Sequence, residues 1–124
     1  MLDSRKITAP NGVLFLSDLR ADALVPEDTS VKNVTNTETC IAFWVMHEVD
    51  GEVIVELTDT DVEDMGGLSE VFSGNMNCES SIVCLFQPGW EEISRIEIGA
   101  KIAKINIYTN DDSSPDHIVV RVSY

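Results

Sequence analysis

A chain of 124 residues, 44% of them hydrophobic and 24% charged, has the content of one folded domain and not of a disordered segment. Eight Lys and Arg stand against 22 Asp and Glu, a net charge of −14, which excludes the basic footprint that direct nucleic-acid binding requires. No apolar run approaches the ~20 residues that span a bilayer, and Met1–Lys6 leads into a β-like segment with no signal-peptide core, so a cytoplasmic protein with no membrane partner is expected.

The apolar residues recur with period two, or in short runs between turn residues, which reads as strands. Arg5–Ala9 and Val13–Ser17 come first, broken by the turn-forming Pro10-Asn11-Gly12. Asp18–Ser30 is a polar connection containing Pro26, and its start admits a short helix over residues 18–24, with Ser17 or Asp18 as N-cap. Cys40–Val49 and Glu52–Thr58 flank Asp50-Gly51, the strongest hairpin signal in the chain, because a type I′ turn needs positive φ at both central residues. That turn pairs Glu48 with Val53, Met46 with Val55 and Trp44 with Leu57. It makes Trp44, Met46, Val53, Val55 and Leu57 the core face and leaves the other face mixed.

After the acidic connection Asp59–Gly67 come a short segment, Leu68–Phe72, a polar loop, Ser73–Ser80, and the apolar run Ser81–Gln87. Pro88-Gly89 turns the chain into Glu92–Ile98, where Ile93, Ile96 and Ile98 alternate with charge but with one slip of register. Gly99-Ala100-Lys101 leads into Ile102–Thr109. Beyond the turn-rich Asn110–Pro115, the segment Asp116–Tyr124 sets Ile118, Val120, Val122 and Tyr124 on one face. The expectation is a single all-β domain over residues 1–124, a β-sandwich or closed barrel of about seven to nine mainly antiparallel strands.

Few residues point to chemistry. Cys40 and Cys84 sit in apolar runs, as small buried hydrophobes do, whereas Cys78 lies in a polar stretch and is expected to be more exposed. Their odd number and spacing match neither a disulfide framework nor a zinc pattern. His47 and His117 have no partner at a telling spacing. No Ser or Cys stands on a tight turn with a base, and Gly66-Gly67 is followed by no Lys that could meet a phosphate. The reading is of a protein that is not an enzyme and needs no cofactor.

Charge is more telling. Between Lys32 and Arg95 there is no Lys or Arg, yet that interval holds thirteen acids, and the rest of the chain is nearly neutral. Such concentration costs self-repulsion, and its usual return is steering toward a basic partner. Glu48, Asp50, Glu52, Glu56, Asp59, Asp61, Glu63 and Asp64 are the expected contact residues, with Trp90, between Pro88-Gly89 and Glu91-Glu92, as an aromatic anchor. Asp59, Asp61, Glu63 and Glu70 also occupy positions one, three, five and twelve of a calcium loop, although Asp64 stands where that loop turns on Gly. A calcium-dependent β-sandwich binding module is therefore the second reading, and a subunit that assembles through an edge strand the third.

The strands near Ile7–Ser17, the aromatic-rich strand Ile41–Val49 and the closing series Ile96–Ile98, Lys104–Thr109 and His117–Val122 resemble the competence protein J family, inhibitors of a DNA-entry nuclease. The likeness covers about half the chain and carries over no inhibitory residue by identity. It implies a β-sandwich that blocks a nuclease, and immunity proteins against toxin nucleases share this description. An acidic inhibitor of a basic enzyme is the first reading of the sequence.

Overall fold

The computed structural model describes residues 2–19, 34–60, 66–111 and 113–124. Ten strands follow one another there: β1 (Leu2–Ile7), β2 (Val13–Asp18), β3 (Val34–Asn36), β4 (Cys40–Trp44), β5 (Val53–Thr58), β6 (Ser69–Asn77), β7 (Ile82–Gln87), β8 (Glu91–Glu97), β9 (Ile102–Thr109) and β10 (His117–Ser123). They form two five-stranded sheets, β1-β5-β10-β9-β6 and β3-β4-β2-β7-β8, so the fold is a sandwich and not a closed barrel. All neighbours are antiparallel except β5 and β10.

Period two explains the packing. Val53, Val55 and Leu57 of β5, Ala103, Ile105 and Ile107 of β9, and Ile118, Val120 and Val122 of β10 point into the core. Leu14 and Leu16, Ile41 and Phe43, Val83 and Leu85, and Ile96 meet them from the second sheet. The slip of register read in Glu92–Ile98 is a β-bulge: Leu85 faces Ser94 but Phe86 faces Glu92, so Ile93 is the extra residue.

The Asp50-Gly51 hairpin does not form. β4 and β5 belong to different sheets, and the chain crosses between them over residues 45–52. Glu48–Asp50 is a 3-10 turn, and Gly51 has φ 133°, ψ −160°, which is no type I′ geometry. β5 pairs instead with β1 and, in parallel, with β10. The core face of β4 is accordingly Ile41 and Phe43, continued by Val45, while Trp44 and Met46 are only half-buried.

Three smaller expectations also change. Arg5–Ala9 and Val13–Ser17 yield strands of opposite sheets, because the 3-10 turn Pro10–Gly12 carries the chain across. Ser73–Asn77, read as loop, completes the nine-residue edge strand β6, with Ser73, Asn75 and Asn77 turned to solvent around buried Met76. Cys78, expected to be exposed, is fully buried in the core. The helix read at residues 18–24 lies outside the described residues from position 20 onward, and Asp18 itself ends β2.

Strand directions sort the connections into two ends of the sandwich. β5, β6 and β10 run one way in the first sheet and β1 and β9 the other. One end therefore carries residues 8–12, 45–52, 66–68, 88–90 and 110–116. The opposite end carries 37–39, 78–81 and 98–101.

Candidate functional site

The first of these ends is built around the crossing segment. Gly12 adopts φ +64°, and a Cβ on it would lie 2.9 Å from the Val45 carbonyl oxygen, so only glycine lets the backbones approach. Val45 N–H donates to the Gly12 carbonyl (2.9 Å), Glu48 N–H to Ala9 (3.2 Å) and Met46 N–H to Pro115 (2.9 Å). The segment is thus tied to the connections on both sides. His47 caps the 3-10 turn by accepting the Val49 N–H on Nδ1 at 3.2 Å, which puts a neutral ring's proton on Nε2. This turn displays Glu48, Val49 and Asp50, and Val49 is 79% exposed.

Further carboxylates share that end. Glu52 precedes β5 and is exposed. Asp111 and Asp116 are exposed in the loop before β10, where the Asp111 Oδ2 accepts the Ser114 N–H at 3.0 Å and the Asn110 side chain bonds both the backbone and the carboxylate of Asp116. Glu91 opens β8 and accepts from the Gln87 amide. In the turn before it Trp90 has φ 57°, an unfavourable conformation for a bulky residue. Its ring packs 5.4 Å from Phe15 and 5.3 Å from Phe86, centroid to centroid, and remains 43% exposed.

None of the connections at this end contains a Lys or Arg. Arg95, Lys101, Lys104 and Arg121 lie toward the other end, mixed with Glu38, Glu79 and Glu97, while Lys6, level with Ile54 near the close of β1, is the described base nearest the acidic end. Most of the described bases are therefore displaced from that end. An exposed Val flanked by Glu48 and Asp50 suits a basic surface, since desolvated apolar contact and a charged rim are what a steered interface combines.

Of the sequence-predicted contact residues, Glu48, Asp50, Glu52 and Trp90 fall at this end. Glu56 lies on the outer face of the first sheet, its Oε2 3.3 Å from His117 Nε2. Asp59 follows the far end of β5, and Asp61, Glu63 and Asp64 lie outside the described residues. Asp111, Asp116 and Glu91 join the acidic end although the sequence reading passed over Asp111 and Asp116 and did not count Glu91 among the contacts. What gathers them is the strand directions, which bring the 88–90 and 110–116 connections to the same end as 45–52.

The topology does not bring Glu70, the twelfth residue of the calcium-loop reading, to Asp59, and Asp61 and Glu63 lie outside the described residues. Glu70 is level with Tyr108, Val119 and Glu56, across three strand spacings and three residues short of Asp59. That separates the two by about 17 Å, whereas ligands to one calcium converge within about 2.6 Å of it. Among the described residues no group of three or more His, Cys, Asp or Glu is placed to hold a metal.

The cysteines are held as thiols. Burial pushes Cys40 and Cys84 up to about 12, and burial with the Asp18 carboxylate beside it pushes Cys78 to about 11. None has the thiolate character of a nucleophile.

No protein-family model and no curated protein matches the sequence. Among solved structures, the fold is similar to that of ComJ, the inhibitor of the DNA-degrading activity of NucA, from Bacillus subtilis. The TM-score is 0.73 at 7% sequence identity, covering 99% of this chain and 98% of ComJ. At that identity the likeness is one of fold, and it bears out the resemblance to the competence protein J family drawn from the strand pattern.

Proposed function

We propose that this protein is a non-catalytic inhibitor or immunity protein that binds a basic enzyme, with a nuclease as its kind of partner. Its acidic end takes the place of nucleic acid in the partner's basic groove. The observation that carries the reading is the gathering of acids: Glu48, Asp50, Glu52, Glu91, Asp111 and Asp116 share one end whose connections hold no Lys or Arg. A net charge of −14 steers such an end toward a cationic groove at long range. The shared fold supports the same reading, since ComJ inhibits the DNA-degrading activity of NucA.

The test is DNA cleavage by a NucA-type nuclease with this protein titrated in, at low and at raised salt. Saturable inhibition that weakens as salt rises, and weakens again in the triple variant Glu48→Gln, Asp50→Asn, Glu52→Gln, is the expected result. Full cleavage at every ratio in low salt would falsify the assignment of this partner.

A further inference from the structure

β6 is the longest strand, and its outer edge meets no other strand among the described residues. Proteins guard such edges with charge, bulges or shortness. The three other edges here are guarded: β1 carries Asp3, Arg5 and Lys6, β8 carries Glu91, Glu92, Arg95, Glu97 and a bulge, and β3 has only three residues. β6 has a bulge near its start, between Glu70 and Phe72, and then runs from Phe72 to Asn77 without a charge.

Its free hydrogen-bonding groups can be identified. Cys78 N–H donates to Lys101 across the seam with β9, whereas Asn77 N–H turns away from β9 and donates to Glu38. Bonding groups alternate along an antiparallel pair, so Asn75 and Ser73, in step with Asn77, aim their N–H and C=O away from the sheet. Both side chains are small, polar and exposed.

We infer that β6 pairs antiparallel with β6 of a second copy, about a twofold axis at Gly74 that sets Ser73 of each copy opposite Asn75 of the other. The pairing makes one continuous ten-stranded sheet with an uncharged seam. Two observations select a second copy over a foreign basic strand. Exposed Lys104 lies beside Asn75 in the next strand and repels a cationic segment. Antiparallel pairing also points the two acidic ends in opposite directions, which keeps two chains of charge −14 at their greatest separation and leaves each end free.

The experiment is sedimentation equilibrium of the whole chain across concentration and salt. The expected result is a monomer–dimer equilibrium that tightens with salt, because screening relieves repulsion between like-charged copies. This sign is opposite to that of binding a basic partner, so the dimer and the inhibitor reading fail separately. Ser73→Lys with Asn75→Lys, and separately Ser73→Glu with Asn75→Glu, place like charges opposite each other and weaken the dimer by about tenfold each. Mixing the two variants restores association, which a merely misfolded protein does not do. A wild-type chain that stays monomeric at every salt and concentration, or a dimer that neither variant weakens, overturns the inference.

Discussion

Ser94 on β8 donates its hydroxyl hydrogen to the Asp3 carboxylate on β1, joining the two sheets along one open side of the sandwich. On the other side Asn77 N–H bonds Glu38 across the same gap. Ser94 first, and Arg5 at 3.0 Å second, hold the Asp3 carboxyl below the usual carboxylate range. A depressed pKa gives stability that is present above the unfolded value, near 3.8, and lost as pH falls through the folded value. Replacing Ser94 with Ala is expected to cost about 1 kcal/mol at neutral pH and less once Asp3 is protonated, when a charge-assisted hydrogen bond becomes a neutral one. Urea melts of both proteins from pH 7 down through the acid range check this, and a loss that stays constant with pH would remove the charge from the account.

Gly12→Ala strains the crossing segment twice, through its positive φ and through a Cβ 2.9 Å from the Val45 carbonyl. A loss of about 2 kcal/mol is expected, with faster amide exchange at Val45 and Glu48, whose N–H groups bond Gly12 and Ala9. Exchange rates that rise elsewhere but not at these two amides would place the strain in another part of the fold.

The thiols make an alkaline prediction. An unfolded chain ionises its cysteines near pH 9, while the native protein keeps them protonated up to about 11 for Cys78 and about 12 for Cys40 and Cys84. Their contribution is therefore intact below pH 9 and falls as pH rises beyond it, by about 1.4 kcal/mol per thiol for each pH unit. Thermal melts from pH 7 to 10.5 check the slope, and Cys40→Ala is expected to reduce it. At neutral pH a thiol reagent should label the native protein far more slowly than the urea-unfolded chain.

If the acidic end steers association, the Glu48→Gln, Asp50→Asn, Glu52→Gln variant associates with its basic partner about tenfold more slowly at low salt and shows a flatter salt dependence. Stopped-flow binding measures both. Dissociation should change less than association, and the reverse pattern would mean that these carboxylates are central contacts and not steering charges.

Trp90 separates packing from recognition. Trp90→Ala loses the ring contacts with Phe15 and Phe86 and relieves little of the strain at φ 57°, so a net loss of about 1 kcal/mol is expected from melts. Trp90→Phe keeps a ring on that platform, and a larger fall in partner affinity than in stability for this variant marks the indole as a contact.

Much of the architecture was legible residue by residue. Ile102–Thr109 is β9 to the residue, three of the four residues set on one face of the last strand, Ile118, Val120 and Val122, are in the core while Tyr124 lies past β10 and is exposed, and the one slip of register became the bulge at Ile93. What misled was Asp50-Gly51. A short-range turn signal carries weight only if the flanking runs pair, and here Val45 is taken by Gly12 and Ile54 by Asp116. The alternation of Val53, Val55 and Leu57 is the same whether β5 pairs with β4 or with β1 and β10, so sequence periodicity holds no information on the choice. The candidate site was half-legible for a related reason. The acids were visible in the sequence, but their gathering from the 45–52, 88–90 and 110–116 connections into one end depends on strand directions.

The parallel pairing of β10 with β5 has a bearing on how the protein folds. β10 sits between β5 and β9, so the first sheet has no continuous middle until residues 117–123 dock against partners that include residues 54–58, some sixty positions earlier. Two half-sheets, β1-β5 and β9-β6, must each wait as exposed two-stranded ribbons, which are marginal alone. Such non-local closure places folding in the slow range for domains of this size, about milliseconds to seconds. It also makes β10 the wedge whose loss divides the sheet.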